Sequence, residues 1–397
     1  MNDAASSSHG PAASLLRERQ PHGHARVTYV ELFFDLIFVF AITQLSHGLA
    51  HHFDLHTAAQ MLVLFVALWC TWINTAWVTN WFDPDRLPTR LMLFAMMFAG
   101  LVAATTIPAA YGVDGLVFAC AYVALEAGRF GWAWWMTPAD NVALRRNFQR
   151  ILVWVGMAAP FWILGGLLPG DWRLACWAIA VAIWVAGPIL RFPVPGLGAS
   201  STQDWNIEGA HFAERCALFV IIALGEGILV TGATAAGLPT TFANLAAFAV
   251  AFIGSIAMWW VYFHIGESRG TRLITQHDDP GRIARVGYTY LHAPIAAGIV
   301  LTAVSDDMLL KHAGDIAGTA GAVALLGGPA LYLVGLALFK RLNLGHMPLS
   351  HLVGIGLMAA LAVVGRDLPV LVLGIAVSAT LVLVAAWEHI SLGRRAA

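Results

Sequence analysis

Val30-Glu31-Leu32-Phe33-Phe34-Asp35-Leu36-Ile37-Phe38-Val39-Phe40-Ala41-Ile42-Thr43-Gln44-Leu45 is the stretch whose reading decides the fold. Carried on to residue 50, it supplies the roughly 20 apolar residues that a membrane-spanning helix needs, because no water inside a bilayer can satisfy an exposed backbone. At 100° per residue Glu31 and Asp35 share a face, and Ser46 falls within about 60° of Glu31, so a polar stripe runs down an otherwise apolar helix. An ionisable group at mid-bilayer costs roughly 2.5 to 3.5 kcal/mol, so such a stripe faces a cavity or a partner. Glu31 is close enough to the helix start to be an interfacial carboxylate. Asp35, a turn deeper, needs another reason.

Eleven further windows of the same kind follow. With the first they run approximately 31–50, 58–80, 90–110, 116–136, 150–169, 172–190, 213–233, 242–264, 286–304, 317–339, 349–365 and 369–389. Loop signals such as Asp83-Pro84-Asp85-Arg86, Pro193-Val194-Pro195-Gly196 and His277-Asp278-Asp279-Pro280-Gly281 separate them. The expected fold class is therefore an all-α integral membrane protein of about twelve transmembrane helices. Composition agrees, with 59% hydrophobic and 11% charged residues against about a quarter charged in an ordinary globular domain. A net charge of -1 offers no basic field for nucleic acid. Cys70, Cys120, Cys176 and Cys216 sit inside apolar runs without a paired motif and read as packing residues. Residues 1–26 are Ser, His and Arg rich, lack the apolar core of a signal peptide and read as a disordered tail.

Basic residues supply an independent test, because Lys and Arg accumulate in cytoplasmic loops. With both termini cytoplasmic, all of the 22 basic residues except Arg173, Lys311 and Arg366 fall on the inner side. A missing helix would spoil that segregation. The first and seventh spans also align without gaps, Glu31–Thr43 on Glu214–Glu226, at an offset of 183 residues, and a Trp-rich span follows each. The expectation is two parallel six-helix repeats over 27–195 and 205–392, related by an axis along the membrane normal.

The remaining intramembrane polar residues are the candidates for function. Glu208, His211, Arg215 and Glu226 fall on one strip of the seventh span, with Glu214 beside it. Arg215 is placed to pair with a first-span carboxylate, which would offset its burial and hold the two halves together. Glu226, framed by Gly225 and Gly227, is the first choice for a pathway residue, because a buried Glu without a cation beside it can take up and release a proton near neutral pH. Asn74 and Asn80 offer amides among the tryptophans of the second span, for helix-helix hydrogen bonds or for solute contacts. His292 precedes Pro294, which frees a backbone carbonyl and favours a break in the ninth span. Glu126 and Arg129, three residues apart, read as a structural ion pair. Glu208-x-x-His211 is half of a di-iron signature without its second copy, and His47, His51, His52, Asp54 and His56 form an outer cluster of loop histidines. Neither is assigned a metal, and no cofactor is indicated. The absence of a phosphate loop, a nucleophile elbow or a sizeable extramembrane stretch excludes an ATP-driven pump within these residues.

The run from Val30 to Leu45, His211-Phe212-x-Glu214-Arg215 leading into Leu224-Gly225-Glu226, the segment from Trp77 to Asp83 with its Asn80 and Phe82, and Tyr290-Leu291-His292-x-Pro294 resemble the bacterial low temperature requirement protein A family. That resemblance covers the chain after residue 25. It implies a multi-pass protein of the bacterial cytoplasmic membrane linked to growth in the cold, and carries no substrate with it. More distantly, the first span is similar to that of potassium channels built from six-helix repeats. Here Phe34 replaces their Ser, and Leu218 stands opposite Asp35 in the second half, so no symmetric filter is expected. The leading expectation is a secondary transporter or channel for an ion or small solute. The alternatives are an intramembrane enzyme or lipid-handling protein using His211, Glu226 and His292, and a sensor or assembly factor that transports nothing. The bilayer is the certain partner, and a homo-oligomer is compatible with every reading.

Overall fold

The structure, a computed structural model, describes residues 15–17, 26–51, 53–202, 205, 207–264 and 266–396. Among these residues there is no strand, and twelve helices are long and apolar enough to cross a membrane. The first six are α1 (Tyr29–His51), α2 (Leu55–Trp81), α3 (Leu87–Thr106), α4 (Gly115–Met136), α5 (Val142–Leu167) and α6 (Gly170–Leu190). Then follow α7 (Gly209–Ala236), α8 (Phe242–Phe263) and a short α9 (Gly266–Gln276) that is not one of the crossings. The ninth crossing combines α10 (Pro280–Ile283), a π-helical stretch over Ala284–Tyr290 and α11 (His292–Lys311). The last three are α12 (Gly318–Leu344), α13 (Leu349–Val364) and α14 (Val370–Ala396). Polar side chains cap the starts of several of these helices: Asp54 accepts the Thr57 N–H at 2.9 Å, Asn141 that of Leu144 at 3.3 Å, and Asp279, from one of the loop signals, that of Arg282 at 2.9 Å.

Twelve crossings agree with the hydropathy windows, and the ninth departs most from its window. It extends from Pro280 to Lys311 rather than over 286–304. Ser305-Asp306-Asp307 reads as a loop start in sequence, yet the helix carries both carboxylates through, with Asp306 6% exposed against α7. The break expected near Pro294 takes the form of the π-helical turn. A π turn widens the backbone and frees carbonyls. Here Thr289 O accepts the Trp69 indole N–H at 2.8 Å, and Gly287 O meets His292 Nδ1 at 2.8 Å.

Lipid tails are as apolar as leucine, so burial of apolar area does not by itself drive helices together in a membrane, and close packing must do so. The tightest example is α11 against α12. A Cβ added at Gly298 would lie 2.5 Å from Tyr332 N, and one at Gly328 would lie 2.5 Å from Thr302 N. Only hydrogen fits there. Apolar side chains such as Phe98, Leu91 and Val363 point outward, as lipid solvent allows.

The pairing scheme of the first six crossings recurs in the last six. Within the first set α1 packs on α2 and α3, α3 on α4, α4 on α5, α5 on α6, and α6 returns to α2. Within the second, α7 packs on α8 and α11, α11 on α12, α12 on α13, α13 on α14, and α14 returns to α8. The two sets meet where α1 touches α7 and α11 and where α2 touches α7. The side on which α1 begins and α14 ends is called the termini side below, and the opposite one the far side. Most of the expected disordered tail, residues 1–14 and 18–25, lies outside the described residues. Residues 15–17 are instead docked on the end of α2, where Trp81 O accepts the Arg17 N–H at 2.8 Å and Leu15 O accepts that of Asp83 at 2.9 Å.

Candidate functional site

The seam between α1 and α7 is built from two pairs of residues, each four apart in sequence. Glu31 and Asp35 share a face of α1, His211 and Arg215 share a face of α7, and the faces meet as two rungs. In the deeper rung Arg215 Nη1 donates to Asp35 Oδ2 at 2.9 Å and Nη2 to Oδ1 at 2.8 Å, a bidentate pair. The Trp72 indole N–H of α2 donates to Asp35 Oδ1 at 2.8 Å, and the guanidinium lies 5.6 Å from the Trp72 ring. Asp35 and Arg215 are both fully buried.

In the shallower rung His211 Nε2 lies 3.1 Å from Glu31 Oε1, and the tautomer follows from its neighbours. The Asn80 amide is oriented by the Glu208 backbone: its Oδ1 accepts the Glu208 N–H at 2.8 Å and its Nδ2 donates to Glu208 O at 2.9 Å. That turns Nδ2 toward His211 Nδ1 at 3.2 Å, so Nδ1 accepts and the Nε2–H donates to Glu31. Glu31 also caps its own helix, accepting the Thr28 N–H at 2.9 Å and the Thr28 hydroxyl at 3.0 Å. Arg17 closes the top, with Nη2 on Thr79 O at 3.0 Å and 3.9 Å from Glu31 Oε2. Glu214 accepts the Val27 N–H at 3.3 Å, one turn from His211.

Toward the far side the seam is first apolar and then opens into a cavity. Phe38 and Ile42 of α1 and Phe219 and Ala223 of α7 are buried, and Phe219 sits 4.3 Å from the Trp72 ring. Beyond them a cavity of about 450 Å³ opens between α1, α7 and α11, lined by Ser46, His47, Val230, Thr234, Asp307 and Lys311 among others. His47 and Lys311 on its rim are exposed. Glu226 lies one turn before Val230, beneath this floor, and faces Thr43 and His47 of α1. It is 3% exposed, and its Oε1 has no hydrogen-bond partner among the described residues. Glu226 is 11 residues beyond Arg215, about 16 Å along the helix. Asp306 of α11 is a second buried carboxylate here, near Thr231, whose hydroxyl donates to Gly227 O at 2.6 Å. Asp307 is tied to Thr234 at 2.6 Å and to Lys311 at 2.7 Å.

The other candidates stand apart from this seam. Asn74 reaches Glu126 Oε2 at 3.4 Å. Glu126 pairs with Arg129, whose Nη1 donates to Thr71 O at 3.1 Å, so the three bind α4 to α2. A comparable tie joins the later helices, where Lys340 of α12 donates to Val261 O at 2.9 Å and meets Glu388 of α14 at 2.6 Å, with His351 Nδ1 3.3 Å from the same carboxylate. His292 is fully paired: Nδ1–H donates to Gly287 O, so the Tyr262 hydroxyl donates to Nε2 at 2.9 Å. His211, Glu226 and His292 thus occupy three separate environments. In the outer cluster, His56 bonds Gln60 at 2.8 Å, while the Thr57 amide and hydroxyl hold the Asp54 carboxyl below its usual range. His52 and the His51 side chain lie outside the described residues. No group of three or more His, Cys, Asp or Glu able to hold a metal occurs among the described residues.

Sequence reasoning missed Arg17, Trp72 and Asp306, whereas Asn80, an amide it singled out, makes the helix-helix hydrogen bonds to Glu208 and His211. Thr28-x-x-Glu31, a capping-box spacing, was available to mark Glu31 as more than interfacial. Nothing in the sequence connects Arg17 to the Thr79 carbonyl or to Glu31.

Twelve apolar crossings and a buried ionic seam define a polytopic integral membrane protein. Over residues 26–386 the chain matches the family described as Bacterial low temperature requirement A protein. It belongs to that family. It is also 38% identical over 373 residues to uncharacterized protein RA0937 of Rhizobium meliloti (strain 1021), covering 92% of this chain and 90% of the relative. No solved structure matches it.

Proposed function

We propose that the chain is a secondary transporter of the bacterial cytoplasmic membrane that moves a cation, with its termini in the cytoplasm and Glu226 as the carboxylate that binds the cation or the coupling proton. The observation that carries this reading is a single one: a buried carboxylate with an unpartnered oxygen lies beneath a cavity open at the far side. A carboxylate in that position is costly unless it exchanges a proton or cation with the cavity. Asp306 adds a second acid and Lys311 is already neutralised by Asp307, so the path favours positive charge.

The rungs Glu31–His211 and Asp35–Arg215 then close the path on the cytoplasmic side, below an apolar plug. That is the arrangement alternating access uses when one side is sealed and the other open. Midplane sites at the interface of repeats suit this mechanism, and Glu226 stands near mid-helix between two sets of helices that repeat one pairing scheme. The separation of His211, Glu226 and His292 disfavours an intramembrane enzyme built on them.

Reconstitution into liposomes tests the reading. Flux of protons or of a monovalent cation from a panel is expected for the native chain, and Glu226→Gln is expected to lose at least tenfold of it while remaining folded. Equal flux in the two proteins removes Glu226 from the mechanism, and no flux of any cation overturns transport.

A further inference from the structure

A second cavity, of about 40 Å³, lies on the termini side where the two sets of helices adjoin. It holds three or four water-sized spheres at roughly 10 to 15 Å³ each. Trp77, Trp81 and Trp205 wall it, and the polar side chains on its lining include Asn74, Asn147 and Arg285, with no carboxylate among the described lining residues. The far-side cavity takes Asp307 into its wall, so the two cavities differ in the sign of charge they suit.

Two of the polar groups have unused donors. An indole N–H only donates, so the Asn147 atom 3.3 Å from Trp205 Nε1 is its oxygen, which also accepts from Ser200 Oγ at 2.7 Å. Its NH2 group has no partner among the described residues, although Asn147 is only 3% exposed. Arg285 lies on the π-helical turn, an irregularity that recurs at functional sites. Nη1 donates to Pro188 O at 3.0 Å and the guanidinium lies 5.9 Å from the Trp205 ring. It makes no further hydrogen bond or ion pair among the described residues. The buried cations elsewhere are otherwise engaged: Arg129, Arg215 and Lys340 each hold a carboxylate, and Arg173 is held by several backbone carbonyls. Arg285 keeps a free edge of its fork.

We propose that this cavity binds a small planar monovalent anion, a carboxylate the size of formate or acetate, between the Arg285 guanidinium and the Asn147 amide. An Arg fork matches a carboxylate with two parallel hydrogen bonds, the amide adds a third, and the tryptophans exclude water around them. The site is independent of the cation path, since none of its lining residues belongs to α1, α7 or the far-side cavity.

The three tryptophans make binding visible in the emission of the purified full-length protein in lipid nanodiscs, with calorimetry as a second readout. Sodium formate and sodium acetate are expected to give a saturable signal that is unchanged with potassium salts, and succinate is expected to give none. Arg285→Gln is expected to weaken binding at least tenfold at unchanged thermal stability. If Arg285→Gln does not fold, Arg285→Lys serves, since it keeps the charge without the fork and should bind several-fold more weakly. Glu226→Gln should bind acetate as the native chain does, which separates this site from the transport reading. Absence of a saturable signal with both carboxylates overturns the proposal. So does chloride binding as tightly as acetate, or native-like binding in both Arg285 variants.

Discussion

Asp35 and Arg215 hold opposite charges where neither is tolerated alone. Removing one member of a buried pair strands the other and costs about 3 to 5 kcal/mol, whereas removing both can be close to neutral. Arg215→Gln is therefore expected to lower the unfolding temperature in detergent sharply, and Asp35→Asn combined with Arg215→Gln is expected to recover much of the loss. Additive effects in this double-mutant cycle would mean that the 2.8 Å contact contributes nothing as a pair. The rung also explains why Asp35 and Glu226 differ in kind although both are acids within apolar helices. Asp35 has a bidentate guanidinium and an indole N–H, and Glu226 has an unpartnered oxygen. From the sequence alone both are acids in apolar helices, and only the neighbours brought by α2 and α7 separate a fastening from a candidate ligand.

At the scale of elements, neighbouring glycines on α12 make an internal control for packing. Nothing lies within 4 Å of a Cβ added at Gly327, whereas one at Gly328 meets the backbone of α11 at 2.5 Å. Gly327→Ala is expected to leave thermal stability unchanged or raised, and Gly328→Ala to lower it by about 1 to 3 kcal/mol, the usual range for overpacking. Equal unfolding temperatures for the two variants would show that α11 and α12 do not depend on close approach. Elements were the level most legible in the sequence. Eleven of the crossings fall within several residues of their hydropathy windows because spanning helices obey one length rule. The ninth did not, since a charge pair reads as loop when its partners on another helix are unknown. Trp72 and Arg17 escaped for the same reason: each matters through a contact that joins distant parts of the chain.

For the molecule as a whole, the cavity and the basic loops make opposite claims on reagents. In a background with Cys70, Cys120, Cys176 and Cys216 replaced, His47→Cys on the cavity rim is expected to react with a membrane-impermeant thiol reagent applied to intact spheroplasts. Arg86→Cys, at the start of α3 on the termini side, is expected to react only after lysis. The reverse pattern would invert the topology and the sense of transport with it. The expected duplication rests on one gapless alignment in the sequence, and the order of helix pairing seen in the first six crossings is met again in the last six. Cation-to-carbonyl ties join helices in both sets, Arg129 on Thr71 O between α4 and α2 and Lys340 on Val261 O between α12 and α8. The spacing of the two rungs has a mechanical consequence. Because both helices present their charges four residues apart, α1 and α7 mesh like a rack and pinion with a tooth pitch of about one helical turn, roughly 5.4 Å. A slide by a fraction of a tooth strands every charge at once, while a full tooth brings Asp35 opposite His211, so movement along this seam is expected to proceed by clicks rather than by drift.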